Sequence, residues 1–513
     1  MPPRSRSGGV IGGTAQIGGL TVNAGGTAAP GYSPGTLTVN GSVSFNAGAI
    51  YAVDVTPQGA HDLIVATSTV SLSSGASVQV AAVPGTYPLR STVTILTTSG
   101  TLIGTFGSVT SNYAFLQPEL SYDQQNVYLN LVYTGTQFVD YAQTPNQGSS
   151  AAAAQALGAG NAVYDALLAQ PATGVAPALN QLSGDIYPSL STLAQQESIY
   201  LRDAVGTRLR QAAATGSGAL SSAARLGGPG TAALSRDLAP TLWAQGYGGW
   251  GNLFSNGNAA SLSSSVGGFL AGLDATVLDM VQAGIVGGFS QTRFDANARN
   301  ASGTMDNYSV GLYLGAQQGP IGLRGGVSYT WHDLQVARTV AFSGFSAAQS
   351  AGYTLGTTQV FGEASYRMGV AGYELEPFAG LAYVAVSGGS AIETGVGGAN
   401  LTMQVGGQQT LYSTLGARAA TSLTLGGRTL TPSLTLGWQH AFGDTASTAD
   451  MAFVGSTAPF QVQGLPIARD TLLTGAGLAY ALSDLATIQV NYSGQIAAQA
   501  SQNAVSAQFS LRF

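Results

Sequence analysis

The sequence predicts an all-β fold class: an outer-membrane antiparallel β-barrel of about 12 strands, preceded by a helical linker and an N-terminal right-handed parallel β-solenoid. Three observations carry this expectation. From Thr241 to the final Phe513, segments of about ten residues alternate apolar and polar side chains. Charged residues make up only 8% of the 513-residue chain, against 72 glycines, and all 17 basic residues are Arg. Before residue 140, short β-prone runs recur between Gly, Asn and Ser turns.

Residues 1–140 contain GTLTVNGSVSF, AIYAVDV, DLIVA, TVSLSSGASVQVAA, STVTILTTSGTLIGTFGSV and VYLNLVY. Their recurrence favours stacked solenoid coils, although a sandwich could use the same strands. Residues 141–238 change texture to Ala-rich segments, and Leu193, Ile199, Val205 and Leu209 fall near helical spacing. Pro171, Pro177 and Pro188 are expected to break this connector into short helices, and GSGALSSAARLGGPGTAAL reads as a flexible link.

Residues 239–513 form the barrel region. Alternating segments begin near residues 241, 266, 280, 305, 321, 354, 373, 409, 428, 468, 486 and 503. Their number is even, and their length of about 9 to 15 residues suits a tilted membrane-crossing strand. Turns such as QQGP and LGG are short, whereas the links at 338–354, 387–409 and 442–468 are long, as in barrels with short periplasmic and long external connections. Ile321, Leu323, Val327, Tyr329 and Trp331 share one face of their segment, opposite Arg324, Ser328, Thr330 and His332. The charged residues Arg324, Glu363, Arg367, Glu374, Glu376 and Arg418 all fall on polar faces, which predicts a polar lumen, because a charge at the lipid midplane costs about 2–4 kcal/mol. Tyr308, Tyr329, Trp331, Tyr366, Tyr383, Trp438, Tyr480 and Tyr492 lie on the apolar faces, and those near strand ends are expected to form interfacial girdles. A soluble, lipocalin-like barrel would carry charge on those faces.

The last segment, VSAQFSLRF, alternates Val505, Ala507, Phe509, Leu511 and Phe513 with polar residues to the final position. Such a strand is an aggregation hazard unless its edge is paired and its apolar face meets something apolar.

Several function classes lose support from composition alone. The net charge of −6 gives no basic footprint for nucleic acid. The absence of Cys removes disulfides, thiolate metal sites and a Cys nucleophile, and the three His residues, His61, His332 and His440, do not form a zinc motif. No run reaches the roughly 18 apolar residues of a transmembrane helix. The opening MPPRSRSGGVIGGTAQIGG lacks a signal peptide's apolar core, so either the chain is not exported or its start lies inside a longer reading frame.

WAQGYGGWG (243–251), GGFLAGLDA followed by AGIVGGFSQTRF, YSVGLYLGAQQGPIGLRGGVSYTWHDLQVART and the terminal Phe together resemble the translocator domain of autotransporters of the type V secretion family. The connector's ALNQLSGDIYPS and RDAVGTRLRQ are similar to the segment that precedes that domain, and GTLIGTFGSVTSNYAFLQPELSYDQQNVYLNLVY looks like the last coils of a passenger, which seed its folding. The resemblance implies a helix threaded through the pore, with the six lumen charges around it. It also implies that Phe513, Leu511 and Phe509 form a signal for the barrel-assembly machinery, with β-augmentation as the physical route. Outer-membrane lipid, periplasmic chaperones and a host or surface ligand of the passenger are the other expected partners. The sequence departs from the family pattern in that no signal peptide is visible and only about 140 residues of passenger are present where a longer solenoid is usual; a mis-called start or a truncated gene is expected to explain both.

Catalysis has one candidate. GYSPG (Gly31, Ser33, Gly35) matches the nucleophile-elbow pattern, but the strand-forming TLTVNGSVSF follows it where the elbow needs a helix. His61 and Asp62 are adjacent and would point to opposite faces of a strand. His332 reads as a polar lumen residue. The expectation is therefore a non-enzymatic, cofactor-free outer-membrane autotransporter that displays an adhesion- or virulence-type passenger. The alternatives are a pore, or the carrier of a surface enzyme whose catalytic part lies upstream.

Overall fold

In the computed structural model, the described residues are 4–5, 8–31, 34–82, 90–223, 240–277 and 281–513. The N-terminal unit consists of three mostly parallel sheets that the chain visits in turn. Leu20 pairs with Val43, Val43 with Val70 and Val70 with Leu102 in one sheet. Tyr51 pairs with Val78, and Val78 with Val109, in the second. Leu37 pairs with Ile64, and Ile64 with Leu96, in the third. In strands such as Val43–Phe45, Ile50–Val55 and Leu63–Ala66, buried apolar side chains alternate with more exposed ones, which gives the unit an apolar interior. An antiparallel hairpin, Leu116–Tyr122 and Asn126–Tyr133, ends the third sheet against Arg90–Thr98.

Five helices follow: α1 (Pro145–Leu157), α2 (Ala162–Leu168), α3 (Ala172–Leu182), α4 (Ile186–Glu197) and α5 (Ile199–Ala223). Thr144 caps α1 through its hydroxyl, which accepts the Gln147 amide, and Asn161 caps α2 by accepting the Val163 amide. Two proline expectations fail. Pro177 lies inside α3, and Pro188 sits in the first turn of α4, where a missing N–H costs nothing because that amide has no intrahelical acceptor. The start of the expected flexible link is also helical, since α5 continues to Ala223; residues 224–239 lie outside the described residues.

Twelve long antiparallel strands close a barrel. The first, Thr241–Leu253, pairs with the last, Ala500–Arg512, over its whole length, and the other neighbours pair in chain order. The expected short turns, QQGP and LGG, lie at one rim, between Gln318 and Ile321 and between Leu425 and Arg428. One expectation is corrected: 338–354 is not a link. Ile321–Phe342 and Phe345–Tyr366 are strands of 22 residues each, about twice the 9–11 that span a bilayer. The links 387–409 and 442–468 contain further strands, which build a four-stranded sheet from Gly389–Ile392, Leu401–Val405, Thr448–Phe453 and Phe460–Gln463. These extensions form a crown at the rim opposite the short turns.

Candidate functional site: the lumen and its helix

The barrel wall has the polarity that alternation demands. Trp331, Tyr308, Leu312 and Leu436 are exposed on the outside, whereas Arg324, Ser328, His332 and Gln359 are buried on the inside. Five of the six expected lumen charges converge on one patch near the short-turn rim. Arg324 Nη1 lies 2.7 Å from Glu363 Oε1 and 2.8 Å from Glu376 Oε1. Arg418 Nη2 lies 2.6 Å from Glu363 Oε2, and its guanidinium stands 3.7 Å from the centre of the Phe378 ring. Arg367 reaches Glu376 at 3.7 Å and Glu374 at 2.9 Å. Glu374, the sixth, is the most solvated of the set.

α5 occupies the lumen. Leu201, Ala204, Val205 and Leu209 follow the three- and four-residue spacing of one helical face, and this face packs against Trp243, Leu270, Val286 and Tyr313 of the wall. At the edge of that contact Arg208 makes a two-pronged pair with Asp274, with Nε–Oδ2 and Nη2–Oδ1 both at 2.7 Å. Tyr313 donates to Asp274 Oδ2 at 2.8 Å, and Trp243 Nε1 donates to the Tyr313 hydroxyl at 2.6 Å. Gln282 adds a further donor to Asp274. The opposite face of α5, with Arg202, Asp203 and Arg210, borders a cavity of about 610 Å³ that reaches Thr431, Thr435 and Gln489 on the far wall. The helix is therefore fastened to one wall and leaves a hydroxyl-lined space along the other.

Where α4 meets α5, Glu197 is buried without a cation among the described residues and accepts from Thr292 at 2.8 and 2.9 Å and from Asn307 at 3.4 Å. His332 joins this cluster through Asn307 at 2.6 Å and Thr357 at 2.7 Å. The sequence reading placed His332 in the lumen and the structure agrees. It missed Glu197, Arg208 and Asp274, whose only signal was charge on a helix and a strand too apolar to carry it without partners.

The terminal strand has the orientation expected of it. Phe509 and Phe513 are exposed outside, Leu511 is half-buried, and Gln508 and Ser510 face inward. Leu511 pairs with Leu242 on one side and Ala486 on the other, and the Phe513 amide donates to the Pro240 carbonyl at 2.9 Å. Of the elbow motif, Ser33 lies outside the described residues. Asp62 is buried and accepts the Gly35 and Asp54 amides at 2.8 and 2.9 Å, which makes it a turn fastener, while His61 contacts the Gly59 carbonyl. Among the described residues no group of three or more His, Asp or Glu could hold a metal ion.

The family model of the autotransporter β-domain matches residues 242–493. Two curated relatives, both named extracellular serine protease and both from Serratia marcescens, are 29% and 28% identical to the chain. They cover 98% and 95% of it, and 52% and 50% of their own lengths. The chain thus spans about half the length of the curated relatives it matches. Among solved structures, the translocator domain of autotransporter NalP from Neisseria meningitidis has a TM-score of 0.45 at 16% identity, over 63% of this chain and 99% of that one. The β domain of the Bordetella autotransporter BrkA has a TM-score of 0.40 at 18% identity, over 54% and 100%. The family match runs from the first barrel strand into the penultimate one, and the barrel is thus an autotransporter β-domain of the outer membrane.

Proposed function

We propose that the barrel translocates the chain's own N-terminal unit and holds it on the cell surface, where residues 1–140 form the membrane-proximal coils of a right-handed β-solenoid passenger. The observation that carries this is the path of the chain. α1–α3 pack between the end of the N-terminal unit and the crown, while α5 runs down the lumen toward the rim of short turns. Each coil that stacks outside buries apolar surface against the last, which favours outward movement without a nucleotide. A porin-like role fits less well, since α5 fills one side of the lumen.

For the passenger we propose an adhesive surface without catalytic activity of its own, which takes a host or surface ligand. The names of the two relatives support a second reading, in which this chain corresponds to the part of a longer surface protease that lies next to the membrane. Barrel-assembly machinery that reads Phe513, Leu511 and Phe509, helped by periplasmic chaperones, completes the proposed partners.

An epitope placed at the Thr56–Gly59 turn tests display. Antibody should label intact cells, and protease added outside should remove the label while the barrel survives. If the epitope becomes accessible only after the outer membrane is opened, display is wrong. Hydrolysis of casein by displaying cells would favour the protease-carrier reading over the adhesive one.

A further inference from the structure

The largest apolar core in the molecule belongs neither to the barrel nor to the N-terminal coils. It joins three parts of the chain: Phe115 and Phe138 from the end of the N-terminal unit, Leu167, Leu179, Tyr187 and Leu190 from α2–α4, and Leu334, Tyr353, Leu401, Met451, Phe453 and Val462 from the crown. Polar contacts across this junction are specific and reciprocal. Asn146 of α1 donates through its side chain to the Gln463 carbonyl at 2.8 Å and receives the Gln463 amide at 2.9 Å, while its own amide reaches Asn258. Asp185 accepts from Arg299 at 3.1 Å and from the Ala260 amide at 2.8 Å.

Glu393 collects three elements at one carboxylate. The Tyr187 hydroxyl of α4 donates to it at 2.6 Å, the Leu401 amide at 2.8 Å, and Arg338 of the long strand pairs with it while also donating to the Gln181 carbonyl of α3 at 3.1 Å. Gly464 lies so close to α4 that a Cβ there would stand 2.5 Å from the Ser189 nitrogen. Ser189 Oγ accepts the Leu465 amide at 3.0 Å, and Thr192 donates to the Leu465 carbonyl at 2.6 Å.

We propose that the crown is a clamp for the chain's own linker, and that its grip holds the N-terminal unit at the barrel mouth independently of covalent continuity through α5. A core of this size, with buried pairs that need both sides to be satisfied, has the character of an obligate interface. A cut between the lumen helix and the barrel therefore leaves the passenger in place.

The test inserts a recognition sequence for a site-specific protease between residues 230 and 231 of the full chain, purified in detergent. After a cut verified on a denaturing gel, the N-terminal fragment should co-elute with the barrel under native conditions and separate only on unfolding. Gly464→Val, which wedges the crown from α4, should lower the retained fraction about tenfold. Glu393→Ala serves as a second variant should the first not fold, with the heat-dependent gel shift as the check on the barrel. Arg208→Ala, which loosens only the lumen helix, should retain the fragment. Separation of the parent protein after cutting, retention by folded crown variants, or release by Arg208→Ala alone would each overturn the clamp. The measurement is made in detergent, so its failure leaves surface display untouched.

Discussion

The Arg208–Asp274 pair is almost fully buried, with side-chain exposures of 6% and 0%. Such a pair resists removal of one partner because the other charge is left without water or a counter-ion. Arg208→Ala should therefore cost about 3–5 kcal/mol, read as a lower temperature of the gel-shift transition, and should cost more than the same change at Arg428, whose pair with Asp484 is solvated. At the other end of the molecule, Asp123 pins the turn of the hairpin that ends the N-terminal unit. It accepts the Gln125 and Asn126 amides at 2.8 and 2.7 Å and the Tyr128 hydroxyl at 2.7 Å. The Asn126 side-chain amide, which also donates to it at 2.9 and 3.0 Å, is the largest influence; with the Tyr128 hydroxyl and the Gln125 amide it holds the carboxyl well below the usual carboxylate range. The sign follows from the folded form binding its proton less readily than the unfolded chain. The turn's contribution is complete above about pH 4 and is lost as pH falls below it. Hydrogen-exchange protection at Val127 and Leu129 should decline over that acid range, and Asp123→Ala should abolish the dependence. The lumen charges were legible in the sequence because each sits on the polar side of an alternating strand. The Arg208–Asp274 contact was not, since alternation says nothing about which residue of a threaded helix meets which wall.

Strand number was readable and strand length was not, and Ile321–Phe342 shows why. Even-numbered side chains point inward throughout, but Arg324, Ser328 and His332 give way to the buried Leu334, Val336 and Val340. Above the bilayer the outside meets water and the inside meets α3 and α4, so the polarity inverts without any slip of register. A reader of periodicity sees the alternation break and infers a link. In the last strand no inversion occurs over the residues that face lipid, and its reading held to Phe513. Deleting Phe513 removes an outward ring and the hydrogen bond to Pro240. The fraction of heat-modifiable barrel in the outer-membrane fraction should fall several-fold, and unchanged assembly would strip Phe513 of the signalling role.

At the scale of the whole chain, two large cores divide the labour. One lies within the N-terminal sheets around Leu37, Phe45, Tyr51 and Ile64, and the other joins the linker to the crown. Cooperative units tend to follow such divisions. In rising denaturant, proteolysis should cut within residues 8–82 before it cuts within 145–197, because only the second segment is packed into the barrel's extension. A single simultaneous loss of both would show that the cores unfold as one.

The unequal height of the wall has a further consequence. The strands Ile321–Phe342 and Phe345–Tyr366 have 22 residues, whereas Asp470–Ala481 has 12 and Ala486–Ile496 has 11. With short turns level at the other rim, this difference raises one side of the mouth by roughly 25 Å once strand tilt is allowed for. The exit is therefore slanted like a spout, with a parapet on one side and a low sill on the other. A polypeptide leaving the lumen would meet wall on the side of Ile321–Phe342 and Phe345–Tyr366 and open space on the side of Asp470–Ala481 and Ala486–Ile496.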